Sequence, residues 1–146
     1  MLDLFARYGY NITVEKNALD RLTPTALAFI GDAVYSLYIR TRVVSETDFT
    51  CGTTHVIATK YVNATAQAEV FDALSASGFL TPDETDIARR AKNAHLHTRS
   101  KIPSDTYHKS TALEAVIGYA ELSGNAARKA ELLDKCAEFA GLNKSN

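Results

Sequence analysis

Two acids stand where acids are expensive. Asp32 lies in Leu27-Ala28-Phe29-Ile30-Gly31-Asp32-Ala33-Val34-Tyr35 and Glu114 in Ala112-Leu113-Glu114-Ala115-Val116-Ile117, each the single charge in an otherwise apolar run. An unpaired carboxylate among apolar side chains is costly to desolvate, so each needs a partner. A Lys, an Arg or a helix end would serve a lone buried acid. Two acids in two apolar helices admit another solution: if they face each other, a proton or a divalent cation relieves their repulsion. A hard cation with oxygen ligands, most naturally Mg²⁺ retaining several waters, suits such a pair, and an ion of that kind activates water for hydrolysis.

A second constellation is basic. Arg89, Arg90, Lys92, Arg99, Lys101 and Lys109 fall within residues 89–109 against one acid, Asp105, although the whole chain has a net charge of −1. The segment therefore carries five excess positive charges and the rest of the chain six excess negative ones. Such asymmetry suits an anionic partner at one place, while a solvated basic loop would give the same count. His95-Leu96-His97 offers metal ligands, and His97 or His108 a general base, but two histidines one residue apart on a loop do not make a ligand set. Cys51 and Cys136 lack CxxC spacing and read as idle reduced thiols, indicating neither a zinc site nor a disulfide framework.

Helices must position these residues. Gly and Pro are scarce, seven and three, and apolar residues recur at three-and-four spacing, which predicts an all-α helical bundle. Thr23-Pro24 opens a helix to about Val44, with Leu27, Ile30, Val34, Leu37, Tyr38 and Val44 as its inward stripe. Ala28, Phe29, Tyr35 and Ile39 make its other side apolar too, so it is expected to be the central, buried helix. A helix over 56–77 follows, with Tyr61, Ala64, Ala68 and Phe71 on one face and Gly78 as its left-handed terminator. Thr81-Pro82-Asp83-Glu84 is a capping box with proline at the first helical position, starting a helix that carries Ile87, Ala88, Ala91 and the basic cluster. A loop from about His95 to His108 leads to a helix from Ser110 or Thr111 to near Gly124, and Asn125 caps the last helix, ending before Gly141.

The 146 residues, 46% hydrophobic and 23% charged, suit a single domain spanning 1–146. The apolar stretch around Asp32 is too short and too polar to cross a bilayer, and Met1-Leu-Asp-Leu-Phe-Ala-Arg-Tyr does not read as a secretory signal, so no membrane and a cytoplasmic location are expected.

Ala28-Phe29-Ile30-Gly31-Asp32-Ala33-Val34-Tyr35 resembles the signature helix of the ribonuclease III superfamily, and Leu113-Glu114-Ala115-Val116-Ile117-Gly118-Tyr119 resembles that superfamily's second motif, in the right order. Leu37-Tyr38-Ile39-Arg40-Thr41, Ala58-Thr59-Lys60-Tyr61-Val62-Asn63-Ala64 with Gln67-Ala68-Glu69, and Arg89-Arg90-Ala91-Lys92-Asn93-Ala94 resemble its short Mini-III branch. Together the stretches cover most of residues 19 to 123. Larger members carry further acids where this chain has Ala28 and Thr111, which leaves two acids of four, as in the Mini-III branch. The resemblance implies a dimeric ribonuclease III-like endonuclease domain without a double-stranded-RNA-binding domain. It implies Asp32 and Glu114 as catalytic residues and Mg²⁺ ligands, and Arg89, Arg90, Lys92, Asn93, Arg99, Lys101 and Lys109 as RNA contacts. The substrate it implies is double-stranded RNA in large-subunit (23S) ribosomal RNA precursors, and the partners a second copy of the chain and a ribosomal protein on the RNA. A-form RNA hides its bases in a deep, narrow groove, so contacts go to phosphates and 2′-hydroxyls.

Two other readings stay open at this level. A non-catalytic module of the same fold would bind structured RNA without Mg²⁺-dependent products. A helical interaction domain with salt-bridged acids would show no salt-sensitive RNA binding.

Overall fold

The computed structural model describes residues 13–46, 51–94 and 101–142, with the backbone alone for Cys51. Among the described residues seven helices follow one another: α1 Lys16–Leu19, α2 Pro24–Glu46, α3 Cys51–Thr59, α4 Ala64–Ser77, α5 Pro82–Lys92, α6 Ser104–Leu122 and α7 Ala126–Phe139. There is no strand among the described residues, and the architecture is the expected all-α bundle. None of these helices is long and apolar enough to cross a membrane.

Local chemistry sets most of the boundaries. The Thr23 hydroxyl accepts the Ala26 N–H at 3.2 Å to open α2, and Asn125 accepts the Arg128 N–H at 3.0 Å to open α7. At α5 the Thr81 side chain accepts the Glu84 N–H at 3.2 Å while the Glu84 carboxylate accepts the Thr81 N–H at 2.9 Å, which completes the capping box. Gly78, at φ 70, ends α4 in the left-handed region where a side chain would be strained.

Three elements differ from expectation. The helix expected over 56–77 is two, α3 and α4, because Asn63 donates to the carbonyls of Thr59 and Lys60 at 2.9 and 3.1 Å and accepts the Ala66 N–H at 2.9 Å. One side chain thus closes the first helix and caps the second. The helix expected at Ser110 begins at Ser104, directly after Pro103 and with Asp105 in its first turn, so His108 is helical. Finally, the central helix is α6 rather than α2. Ser110, Thr111, Ala112, Ala115, Gly118 and Ala120 are all buried, and this small-residue surface lets α2, α4, α5 and α7 close around one axis. On α2 the buried stripe is Leu27, Ala28, Gly31, Tyr35, Ile39 and Val43, whereas Phe29, Leu37 and Val44 are exposed.

Leu27, Tyr35 and Ile39 of α2, Leu74 of α4, Leu113 and Ile117 of α6 and Leu132 and Cys136 of α7 fill the core. Cys136 is the buried, unbridged thiol expected, and burial pushes it up to about 12. Arg128 joins α7 to α5. Its guanidinium donates to both carboxylate oxygens of buried Glu84 at 2.8 Å and to the Phe79 carbonyl at 2.7 Å.

Candidate active site

Helices α2 and α6 meet through two glycines. A Cβ on Gly31 would overlap the carbonyl of Glu114, and one on Gly118 would overlap the carbonyl of Leu27. Gly31 opposite Glu114 and Gly118 opposite Leu27 make the crossing antiparallel, with backbone directly against backbone. The two sequence motifs are thereby locked in register, and the acid beside one glycine contact is set against the acid within it.

Glu114 is half-buried while its neighbours from Ser110 to Gly118 are buried. Burial pushes its carboxyl up, the negative charge of Asp32 pushes it further, and a hydrogen bond from Gln67 opposes both, leaving it at about 7. The charge of Asp32 thus reaches Glu114 across the crossing. Asp32 departs from expectation in one respect: it is exposed, not desolvated in the core. One residue turns a helix by about 100°, so Asp32 lies on the shoulder between the buried face marked by Gly31 and the open face marked by Phe29. Among the described residues it forms no ion pair, and its charge acts on Glu114 across the crossing.

Two polar residues that sequence reasoning did not assign complete the surroundings of Glu114. Buried Gln67 of α4 donates from Nε2 to the Glu114 carboxylate at 3.2 Å, and buried Ser110 donates from Oγ to Gln67 Oε1 at 3.1 Å. The signal was present as Gln67 between apolar Ala64, Ala68 and Phe71, a polar side chain on an inward face. Ala28 brings no donor, and the Thr111 hydroxyl donates to the Tyr107 carbonyl at 3.0 Å, so neither position supplies a further acid. Two carboxylates with room for water on the Asp32 side suit a hard cation such as Mg²⁺. Among the described residues no group of three His, Cys, Asp or Glu side chains could hold a metal. His95 and His97 lie outside the described residues, and His108 is half-buried with its ring against that of Tyr107.

Some of the basic residues line a cleft and some are held in ion pairs. Arg89, Lys92 and Asn93 come together at a cleft of about 330 Å³ between α4 and α5, floored by Phe71, Leu80 and Ala88. Lys109 bonds Asp72 at 2.9 Å and Asp105 at 3.1 Å on α4 and α6. Arg89 and Arg90 both pair with Asp86, at 2.7 and 3.2 Å, so acids outside the 89–109 window offset part of its charge. Lys101 is exposed, and Arg99 lies outside the described residues.

A helical fold centred on two facing acid motifs defines a class, and a model of the Ribonuclease III domain matches residues 25–125. The chain is 38% identical over 122 residues to the Mini-ribonuclease 3 of Staphylococcus aureus, covering 83% of this chain and 91% of that protein. It is 40% identical over 124 residues to the Mini-ribonuclease 3 of Thermoanaerobacter, covering 82% and 83%. A crystal structure of a Fusobacterium nucleatum protein superposes with a TM-score of 0.71 at 25% identity, covering 81% of this chain and 93% of that one. The chain belongs to the ribonuclease III family of endoribonucleases, and within it to the Mini-ribonuclease 3 branch.

Proposed function

We propose that the chain hydrolyses phosphodiester bonds of double-stranded RNA with Mg²⁺ held by Asp32 and Glu114, as a homodimer that matures large-subunit (23S) ribosomal RNA precursors in the cytoplasm. One observation carries the reading: the Gly31/Gly118 crossing sets an exposed and a half-buried carboxylate together, and burial and the charge of Asp32 make that of Glu114 costly. When bound, the ion acidifies a water and offsets charge gathering on the phosphate oxygens. Asp32, on the open side, meets solvent and the incoming phosphate. Glu114 holds its carboxylate fixed by its hydrogen bond to Gln67. Arg89, Lys92 and Asn93 at the α4/α5 cleft, with Arg90, Arg99, Lys101 and Lys109, contact the RNA backbone, and shape governs recognition more than sequence. Exposed Phe29, Leu37 and Val44 on one side of α2 support self-association through that face. A ribosomal protein on the RNA is a further partner in this reading.

Incubating the protein with a long duplex RNA, with Mg²⁺ and then with chelator, tests the proposal. Cleavage that requires the metal and is lost in Asp32→Asn is expected. RNA binding without products would favour the non-catalytic module. Affinity and salt dependence both unchanged in Lys101→Ala with Arg89→Ala would move the RNA elsewhere.

A further inference from the structure

We infer that Gln67 and Ser110 form a relay that positions the Glu114 carboxylate for the metal. The inference rests on the proposed role of Glu114 and adds two residues to it. Ser110 and Glu114 lie one turn apart on the same face of α6, and the Gln67 amide from α4 spans them, its oxygen accepting from Ser110 at 3.1 Å and its nitrogen donating to Glu114 at 3.2 Å. Gln67 is only 4% exposed and Ser110 6%. Little of either residue is open to water. The order of the relay matters. The Thr111 hydroxyl next to Ser110 is committed to its own helix backbone, whereas the Ser110 hydroxyl is directed at the amide oxygen, which leaves the amide nitrogen facing the acid. With one oxygen of the Glu114 carboxylate accepting a fixed N–H, its second oxygen keeps its lone pairs for a cation. Gln67 is thus a positioning residue, and Ser110 acts through it.

A purely structural clasp between α4 and α6 would use the same contacts, so the test separates metal affinity from stability. Mg²⁺ binding is measured by titration calorimetry on the whole protein without RNA, alongside the Mg²⁺ dependence of cleavage and thermal melting without metal. Gln67→Leu is expected to weaken Mg²⁺ binding by roughly tenfold or more, the usual cost of losing a partner of a metal ligand, and to raise the half-saturating Mg²⁺ for cleavage in parallel. Ser110→Ala, a replacement well suited to a helix interior, is expected to shift both in the same direction by a smaller factor. The double variant is expected to lose no more than Gln67→Leu alone, because one residue works through the other. Wild-type Mg²⁺ affinity in Ser110→Ala and in any folded Gln67→Leu, whatever happens to the melting temperature, would overturn the relay. Glu114→Gln is the control. If it binds Mg²⁺ and cleaves like wild type, the proposed site itself fails. If it loses both while the relay variants lose neither, the relay alone fails.

Discussion

Because burial and the charge of Asp32 push the Glu114 carboxyl up to about 7, the folded protein retains a proton that the unfolded chain, with an ordinary value of 4.5, releases earlier. The group's contribution to stability is therefore fully present below about pH 4.5 and is lost as pH rises through 7. Glu114→Gln removes that loss. Without metal it is expected to melt several degrees higher at pH 8, on the order of 2 kcal/mol, and to show almost no gain near pH 4. Asp32→Asn should give a smaller gain, since the exposed acid contributes by repulsion and not by its own burial. Both should cut duplex RNA roughly a hundredfold more slowly or worse. Calorimetric melts at the two pH values decide, and variants that melt earlier yet still cleave would make these acids structural. Tyr35 offers a cleaner case. Its hydroxyl is buried with no hydrogen-bond partner among the described residues, and burial holds it protonated far above the ordinary tyrosine value. Tyr35→Phe removes an orphaned donor and keeps the shape, so a gain of about 1 kcal/mol is expected in denaturant titrations. A loss would mean that the hydroxyl has a partner.

Between elements, Arg128 clamps Glu84 with two hydrogen bonds to its carboxylate. Burial raises that carboxyl, but the hydrogen bonds from Arg128 and from the Thr81 backbone hold it below the usual glutamate value overall. Its contribution is present above the unfolded value and lost as pH falls through the folded one. Arg128→Met keeps much of the stem and leaves the acid alone in the interface. A cost of about 3 kcal/mol and a melting temperature lower by roughly 10 °C are expected, easing as the pH is lowered and Glu84 takes up a proton. A variant that melts like wild type at pH 7 would show the pair to be idle. The N-terminus of that same α5 helix was legible in the sequence, because Thr81, Pro82 and Glu84 act within four residues of one another. Gly78 and Asn125 were legible for the same local reason. Asn63 was not, since an asparagine inside an apolar period looks like helix until its side chain is seen closing one turn and opening the next. Nor does periodicity orient α2, whose two sides are both apolar: it puts Leu37 and Val44 inward, and they lie outward. The site shows the same divide. The acids stood out as charges in apolar runs, whereas Gln67 and Ser110 acquire meaning only when α4 is laid beside α6.

At the scale of the whole molecule, the outward face of α2 is the feature a single chain leaves unexplained. Phe29, Leu37 and Val44 are 79%, 69% and 63% exposed, although they lie on the longest helix of the fold and on one side of it. Apolar side chains clustered on one face usually mark an interface, and full burial of a Leu or Phe side chain is worth about 2 kcal/mol. A second copy packed there would cover this stripe and stand beside Asp32, which lies on its shoulder. Association and catalysis should therefore be linked through position. Leu37→Asp places a charge at the middle of the stripe, where an interface would have to desolvate it. The wild-type protein is expected to sediment at about twice 15.9 kDa at micromolar concentration, and Leu37→Asp at the mass of one chain with unchanged helicity. Loss of the partner should leave the α2/α6 crossing and the Gln67–Glu114 hydrogen bond in place, because the contacts that build them lie within one chain, and Mg²⁺ binding at the proposed site is expected to persist with them. Cleavage of both strands of a duplex in one encounter should fall sharply, and single-strand nicks should rise relative to double-strand cuts. A wild-type mass near 15.9 kDa would remove the dimer. A monomeric Leu37→Asp that still cuts both strands in step would show instead that one copy completes the reaction by itself.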